Sequence, residues 1–371
     1  MIKTELCEMV GIKHPIIQAG MGPYSTNNLA AAAANAGALG ILSTSGFLYT
    51  AVSGSIRKRL AALIQQLTDG KEGTPVEHLK RILYRTKEET RESQGVFGIN
   101  CMVSAEMTQW AGAVLRTVIE ARDEDPEMRE RLKVIITSAG DPLPWTETIK
   151  PSGVKWFHVV PSVRHAKRCE RAGVDVIIAS GHEGGMHIAW EPVHTMVLLP
   201  AVVKAVNTPV IGAGGFSDGA SLAAALALGA VGVQMGTRFL ATRESDFTQM
   251  HKDYIVKSGE RDTLVARGVV GPARYLNNQA SMELTRITVS KAPGLYLGQP
   301  DDLTTVAREV MEKEDEGFNA LYSGDELKAL IPGGEVAGRI DDLPTAKELI
   351  ERTVSEAEEI IRNLPQKLVK G

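Results

Sequence analysis

Short apolar runs, each ending in glycine or a small polar residue and each followed by a stretch of helical spacing, recur along this chain. They are "PIIQAGM" (15–21), "GALGILSTSG" (37–46), "GVFGINCMV" (95–103), "LKVIITSAGDP" (132–142), "VKWFHVVPS" (154–162), "VDVIIASG" (174–181), "TPVIGAGG" (208–215) and "VGVQMGTRF" (231–239). Within each run the apolar residues are consecutive rather than alternating. That is the pattern of strands buried on both faces, as in a parallel sheet. The intervening helices carry their own punctuation. "SVRHAKRCERAG" opens on Ser162 as N-cap and stops at Gly173, and "STNNLAAAAANAG" begins with capping residues and stops at Gly37. Eight strand-then-helix units predict an α/β (β/α)8 TIM barrel closing near Phe239, in preference to a doubly wound open sheet.

Two regions depart from the repeat. Residues 47–94 read as a helical insertion after the second strand, with "IRKRLAALIQQL" and "VEHLKRILYRTKEETRE" at helical spacing. It is expected as an excursion over the catalytic face, serving as a lid, as a homodimer contact or as decoration. Residues 296–371 read as a C-terminal helical extension ending in the amphipathic "DDLPTAKELIERTVSEAEEIIRNL", started at Pro344–Thr345. The barrel itself is then expected over 1–46 and 95–295.

Composition narrows the function classes. The chain has 371 residues, 43% of them hydrophobic, enough for a large core. A net charge of −4 argues against a nucleic-acid partner, because phosphate backbones call for a basic face. Cys7, Cys101 and Cys169 are odd in number and far apart, which predicts reduced thiols in the cytoplasm rather than a disulfide framework. "LAAAAANAGALGIL" is too short and glycine-rich to span a bilayer, so no membrane role is expected. His182 and His187 are five apart on a glycine-rich stretch, without the helical spacing of a zinc pair, so no metal is expected.

In a barrel of this kind chemistry sits at the C-terminal ends of the strands. Strand seven ends in Ala213-Gly214-Gly215 before a helix start, and strand eight in Gly236-Thr237. These are the two loops that commonly bind phosphate, through glycine amides, a hydroxyl and a helix N-terminus. Ala19-Gly20-Met21 offers backbone without bulk across the mouth. Asn100 offers an amide that both donates and accepts, and Gly184 and Gly185 leave room for a plane. A flat ring carrying a phosphate, held mainly by backbone, describes flavin mononucleotide (FMN). Beside it, "ASGHEGGMH" (179–187) supplies histidine, the side chain suited to moving a proton near neutral pH.

The motifs "PIIQAGM", "GIN", "VRHAKRCERAGVD", "GHEGGMH", "LLPAVV" and "PVIGAGGFSDGASLAAALALGAVGVQMGTRFLAT" resemble the nitronate monooxygenase family, formerly called 2-nitropropane dioxygenases, over roughly residues 10–290 outside the insertion. The resemblance implies FMN in a TIM barrel. Ala19, Gly20 and Met21 would lie along the flavin, with Asn100 near its ring and Ser180 near the ribityl chain or ring edge. Gly184 and Gly185 would lie near the flavin, and Ala213, Gly214, Gly215, Gly236 and Thr237 at its phosphate. The family's signature, similar to Gly-x-Glu-Ala-Gly-Gly-His, puts His187 in the catalytic position and leaves Glu183 to anchor its loop. Met186 departs from the pattern by standing where a small residue is usual, and Val159 stands where some members carry lysine. The implied activity is oxidation of a small-molecule substrate, an alkyl nitronate, with O2 to a carbonyl compound and nitrite. The superfamily also contains NAD(P)H-dependent FMN reductases of enoyl thioesters and of quinones. Reduction of either kind is therefore the alternative, with a nicotinamide co-substrate, and a flavin-binding protein without turnover is a further one.

Overall fold

A computed structural model describes residues 2–22, 27–50, 58, 61–62, 64–65, 68–301 and 305–368. All eight apolar runs are strands. In chain order they are β1 (Ile16–Gln18), β2 (Leu39–Ser43), β3 (Phe97–Met102), β4 (Leu132–Ser138), β5 (Lys155–Val160), β6 (Val176–Ser180), β8 (Val210–Ala213) and β9 (Val233–Met235). Each pairs in parallel with the next, and β9 pairs back onto β1 to close the barrel. The two-residue strand β7 (Met186–His187) lies outside the barrel.

The consecutive apolar residues are shared between two cores. Ile17, Ile41, Val134, Ile136, Phe157, Ile178 and Ile211 fill the barrel interior. Their neighbours, such as Ile99, Ile135, Trp156 and Ile177, face the helical ring. The helix Glu5–Val10 plugs the bottom, where the Thr4 hydroxyl donates to the Val231 carbonyl at 2.6 Å. Ser162 caps the helix Val163–Ala172 through the His165 amide, and Gly173 ends it at φ +75°, as its sequence position predicts.

The helix Pro75–Glu89 corrects the expected excursion over the catalytic face. Its Leu79, Ile82 and Leu83 are buried in the core between barrel and ring, and Thr86 donates to Asn27 of the helix Asn27–Asn35 at 2.7 Å. It is the ring helix that joins β2 to β3, and its amphipathic face belongs to the barrel. Most of "IRKRLAALIQQL", including Arg57 and Arg59, falls outside the described residues.

After β9 the chain builds a second layer that the apolar pattern did not announce. β10 (Thr263–Gly268) and β11 (Gly271–Leu276) form an antiparallel hairpin, and β11 pairs with β7. The helices Gln279–Lys291 and Arg308–Ser323 cover it, with Tyr275, Leu284, Val310 and Leu330 in a satellite core. The last helix, Ala346–Leu368, returns to the barrel: a Cβ on Gly219 would fall 2.5 Å from the Ala357 nitrogen. Among the described residues no helix is long and apolar enough to cross a membrane.

Candidate functional site at the barrel mouth

Alternation along each stave decides what the mouth presents. Stepping two residues up from the interior layer gives Ala19, Ser43, Asn100, Ser138, Val159, Ser180 and Ala213, with Gln234 in register with both Ile17 and Ala213. The predicted residues Ala19, Asn100, Ser180 and Ala213 therefore share the inward parity toward the C-terminal ends of their staves, staggered by the barrel's register. Asn100 Nδ2 reaches the Ile136 carbonyl and the Ser138 hydroxyl over long contacts of 3.4 and 3.3 Å, which leaves its amide only weakly committed.

The glycines around this rim are of two kinds, close-packed and open. Gly214 and Gly215 adopt φ of +85° and +84°, a conformation that L side chains rarely take. A Cβ at Gly214 would also press to 2.8 Å from the Gly181 carbonyl, so the turn packs against the glycine loop after β6. At Gly236 an added Cβ would meet nothing nearer than Met21 Sδ at 3.4 Å and Ala19 Cβ at 3.9 Å, and at Gly184 nothing nearer than the Gly181 carbonyl at 3.4 Å. Gly20 lies tight against Asn100 and Ile41.

One part of the expected phosphate cradle is corrected. The start of the helix Gly219–Ala227 is already occupied: Asp218 accepts from the Ser221 amide at 2.9 Å, Glu356 accepts from the Gly219 amide at 2.8 Å, and the Ser217 and Asp218 amides donate to Ser221 Oγ. Thr237 Oγ1 accepts from the Gly334 amide at 2.9 Å, which leaves its O–H as a donor. The Gly214–Gly215 turn and Gly236–Thr237 stand beside that helix start at the ends of the last two staves. The physical reason lies partly in the C-terminal extension, whose Glu356 takes the Gly219 amide.

That extension also roofs the loop 181–187. A Cβ on Gly185 would lie 2.6 Å from the Gly334 nitrogen and 2.7 Å from the Gly333 carbonyl carbon, so only glycine fits beneath this strap. The Glu335 amide donates to the Glu183 carbonyl at 3.0 Å. Glu183 anchors its loop as expected: its carboxylate accepts from the Thr195 amide at 2.9 and 3.0 Å and lies 2.9 Å from the Thr195 hydroxyl.

His187 pairs with Ala273 of β11, and Met186, at φ +58°, pairs with Arg274. The His187 side chain is solvent-accessible, yet the surrounding protein strips enough water from it to lower its pKa to about 4. The direction carries the chemistry: the imidazole is neutral at pH 7. His182 is likewise pushed down to about 4, chiefly by burial and then by the Arg274 charge, and it stacks edge-on to His194 at 5.5 Å. His158 is a packed strand histidine: it is buried, its Nδ1 lies 2.7 Å from the Thr137 hydroxyl, and burial lowers its pKa to about 4. The three cysteines are free and buried, and Cys101 is raised to about 12, which makes it inert as a nucleophile.

Reading the sequence missed Arg274, Gly333, Gly334 and Glu335. The glycine pair in "IPGGE" and the alternation in "TLVARGVVGPARYL" were the available signals. Neither says that it docks on a loop some ninety residues or more upstream.

The fold and its relatives define an oxidoreductase built on a TIM barrel. The nitronate monooxygenase family model matches residues 3–356, and the chain belongs to that family. It is 31% identical to the (3aS,4S,5R,7aS)-5-hydroxy-7a-methyl-1-oxo-octahydro-1H-indene-4-carboxyl-CoA dehydrogenase of Rhodococcus jostii, over 96% of each chain. It is 30% identical to a probable nitronate monooxygenase of Staphylococcus aureus, over 76% of this chain and 81% of that one. Among solved structures it superimposes on FabK from Thermotoga maritima with a TM-score of 0.77 and 30% identity, covering 99% of this chain and 100% of that one.

Proposed function

We propose that the protein is an FMN-dependent oxidoreductase of carbon acids, substrates whose reacting carbon adjoins a strongly electron-withdrawing group, and that a coenzyme A thioester is its first substrate class. The observation that carries the reading is the neutral imidazole of His187, three residues beyond Gly184, whose open face, like that of Gly236 on the last stave, leaves room for a planar group. The residues present fit FMN. The left-handed Gly214–Gly215 turn and the Gly236–Thr237 amides would hold its phosphate, and Asn100, Ser180 and the open faces over Gly184 and Gly236 would flank its ring. When bound, FMN supplies the acceptor for the substrate's electrons.

The chain's own residues then have defined work. The unprotonated ring nitrogen of His187 accepts the proton from the carbon beside the thioester carbonyl, or returns it in the opposite direction. Asn100 offers its amide to a carbonyl or ring edge, and the strap over Gly185 keeps water from one side of the loop. The thioester reading is favoured by the Rhodococcus jostii relative, a carboxyl-CoA dehydrogenase matched over 96% of both chains. Nitronate oxidation is the second reading, favoured by the family model and by the Staphylococcus aureus relative. There His187 hydrogen-bonds the anionic nitronate as a neutral donor. A nicotinamide co-substrate belongs to the reductive direction of the first reading.

Anaerobic mixing of the FMN-loaded protein with an acyl-CoA, propyl-1-nitronate or NAD(P)H separates these. Bleaching by acyl-CoA supports thioester oxidation, whereas bleaching by NAD(P)H supports the reductive direction, in which reoxidation by an enoyl-CoA rather than a quinone identifies the thioester. Bleaching by nitronate alone moves the protein to the second reading, and a flavin untouched by all of them leaves a binding protein without turnover.

A further inference from the structure

We propose that Arg274 is a positioning residue: together with Glu335 it clasps the loop 181–187 and sets where the His187 ring stands. The proposal rests on the reading that His187 meets the substrate.

A strand of two residues is a weak mount for a reacting group. β7 is held by the register pairs Met186–Arg274 and His187–Ala273 and by one further bond, from the Ile188 amide to the Pro272 carbonyl at 3.0 Å. Misplacement by about 1 Å is enough to cost a large factor in rate, so the loop needs a second restraint. Arg274 supplies it. The residue is 5% exposed, and its guanidinium spans three segments. Nη2 donates to the His182 carbonyl at 2.9 Å and lies 3.0 Å from Glu335 Oε1, while Nη1 donates to Thr263 Oγ1 at 2.9 Å. One buried fork thus ties the start of the loop, the hairpin beside its end and the strap above it. Glu335 closes the ring of contacts through its own amide on the Glu183 carbonyl, and Gly334 adds its bond to Thr237.

The strained turn at Met186 fits this arrangement. A non-glycine residue at φ +58° persists only where its surroundings over-determine it, and Arg274 stands directly across the ladder from it. Lysine retains the charge toward Glu335 but has no planar fork, so it cannot hold His182, Thr263 and Glu335 at once.

The test uses the FMN-loaded full chain as Arg274→Lys, with Arg274→Ala beside it, and reads amide hydrogen exchange over residues 181–190 together with anaerobic flavin bleaching. The bleaching reagent is acyl-CoA or propyl-1-nitronate, whichever bleaches the parent; where only NADH does, the rate read is reoxidation of the reduced flavin by an enoyl-CoA. Arg274→Lys is expected to speed exchange across 181–190 by about tenfold while exchange in β4 and β6 stays at the parent's rate. The limiting bleaching rate is expected to fall by about tenfold with the half-saturating concentration unchanged, a split that loss of general stability does not produce. Glu335→Gln, which keeps the bond to His182, is expected to cost only about threefold. Exchange and limiting rate both within about twofold of the parent in Arg274→Lys would overturn the proposal, as would a rise in half-saturation alone. If Arg274→Ala does not fold, Arg274→Lys decides. If no reagent bleaches the parent, the functional reading fails, and the exchange measurement still decides whether the clasp holds the loop.

Discussion

The barrel and the layer that roofs it were assembled by different rules. Each barrel stave announces itself locally, as an apolar run with a glycine or small polar residue at its end, and it pairs with the next stave along the chain. The roof is non-local. β7 has two residues, its partner β11 begins at Gly271, and the strap Gly333–Glu335 arrives later still. The barrel therefore supplies stability and a cradle, whereas the roof supplies the histidine's position. Disturbing the first should cost fold and cofactor, and disturbing the second should cost rate while the fold survives.

The largest effect expected is at His187. His187→Asn keeps the flavin and lowers the rate of anaerobic bleaching by acyl-CoA by about 100-fold or more, the usual weight of a positioned proton acceptor. Unchanged bleaching would take the imidazole out of the chemistry. Next is Gly185→Ala, whose methyl group meets the backbone of Gly333 and Gly334 rather than a yielding side-chain tip. A cost of about 1–3 kcal/mol in urea unfolding is expected, with the roof displaced.

The pH response follows from the buried histidines. His158 and His251 have pKa values lowered to about 4, mainly by burial, whereas in the unfolded chain they titrate near the ordinary 6.5. Between those values the unfolded chain binds protons that the native chain does not. Stability is therefore full above pH 6.5 and falls as pH drops toward 4, and Tm measured from pH 7 to 4.5 should decline. A Tm that rises on acidification would contradict this. The smallest effect is Met186→Gly. Relief of the left-handed strain, about 1 kcal/mol, is offset by loss of the side chain's packing against the satellite core, so Tm should shift by only a few degrees.

The sequence was legible wherever structure is local. All eight staves, the cap at Ser162, the stop at Gly173 and the anchoring role of Glu183 follow from nearby residues. The helix Pro75–Glu89 was recognised as a helix but misplaced, because an amphipathic face does not say which surface it covers. The helix start after Gly215 read as an anion site, but Asp218 and Glu356 fill it, and Glu356 lies well over a hundred residues away. Arg274 was invisible for the same reason: its partners His182 and Glu335 flank it from distant parts of the chain.

The central claim is that the two last barrel loops hold FMN beneath the His187 strand. Fluorescence titration of FMN into the purified, cofactor-stripped protein tests it most directly. A saturable change with a break at one FMN per chain, abolished by Gly214→Val and retained in His187→Asn, is the predicted result. A protein that shows no saturable change, or that binds equally well as Gly214→Val, would contradict the account.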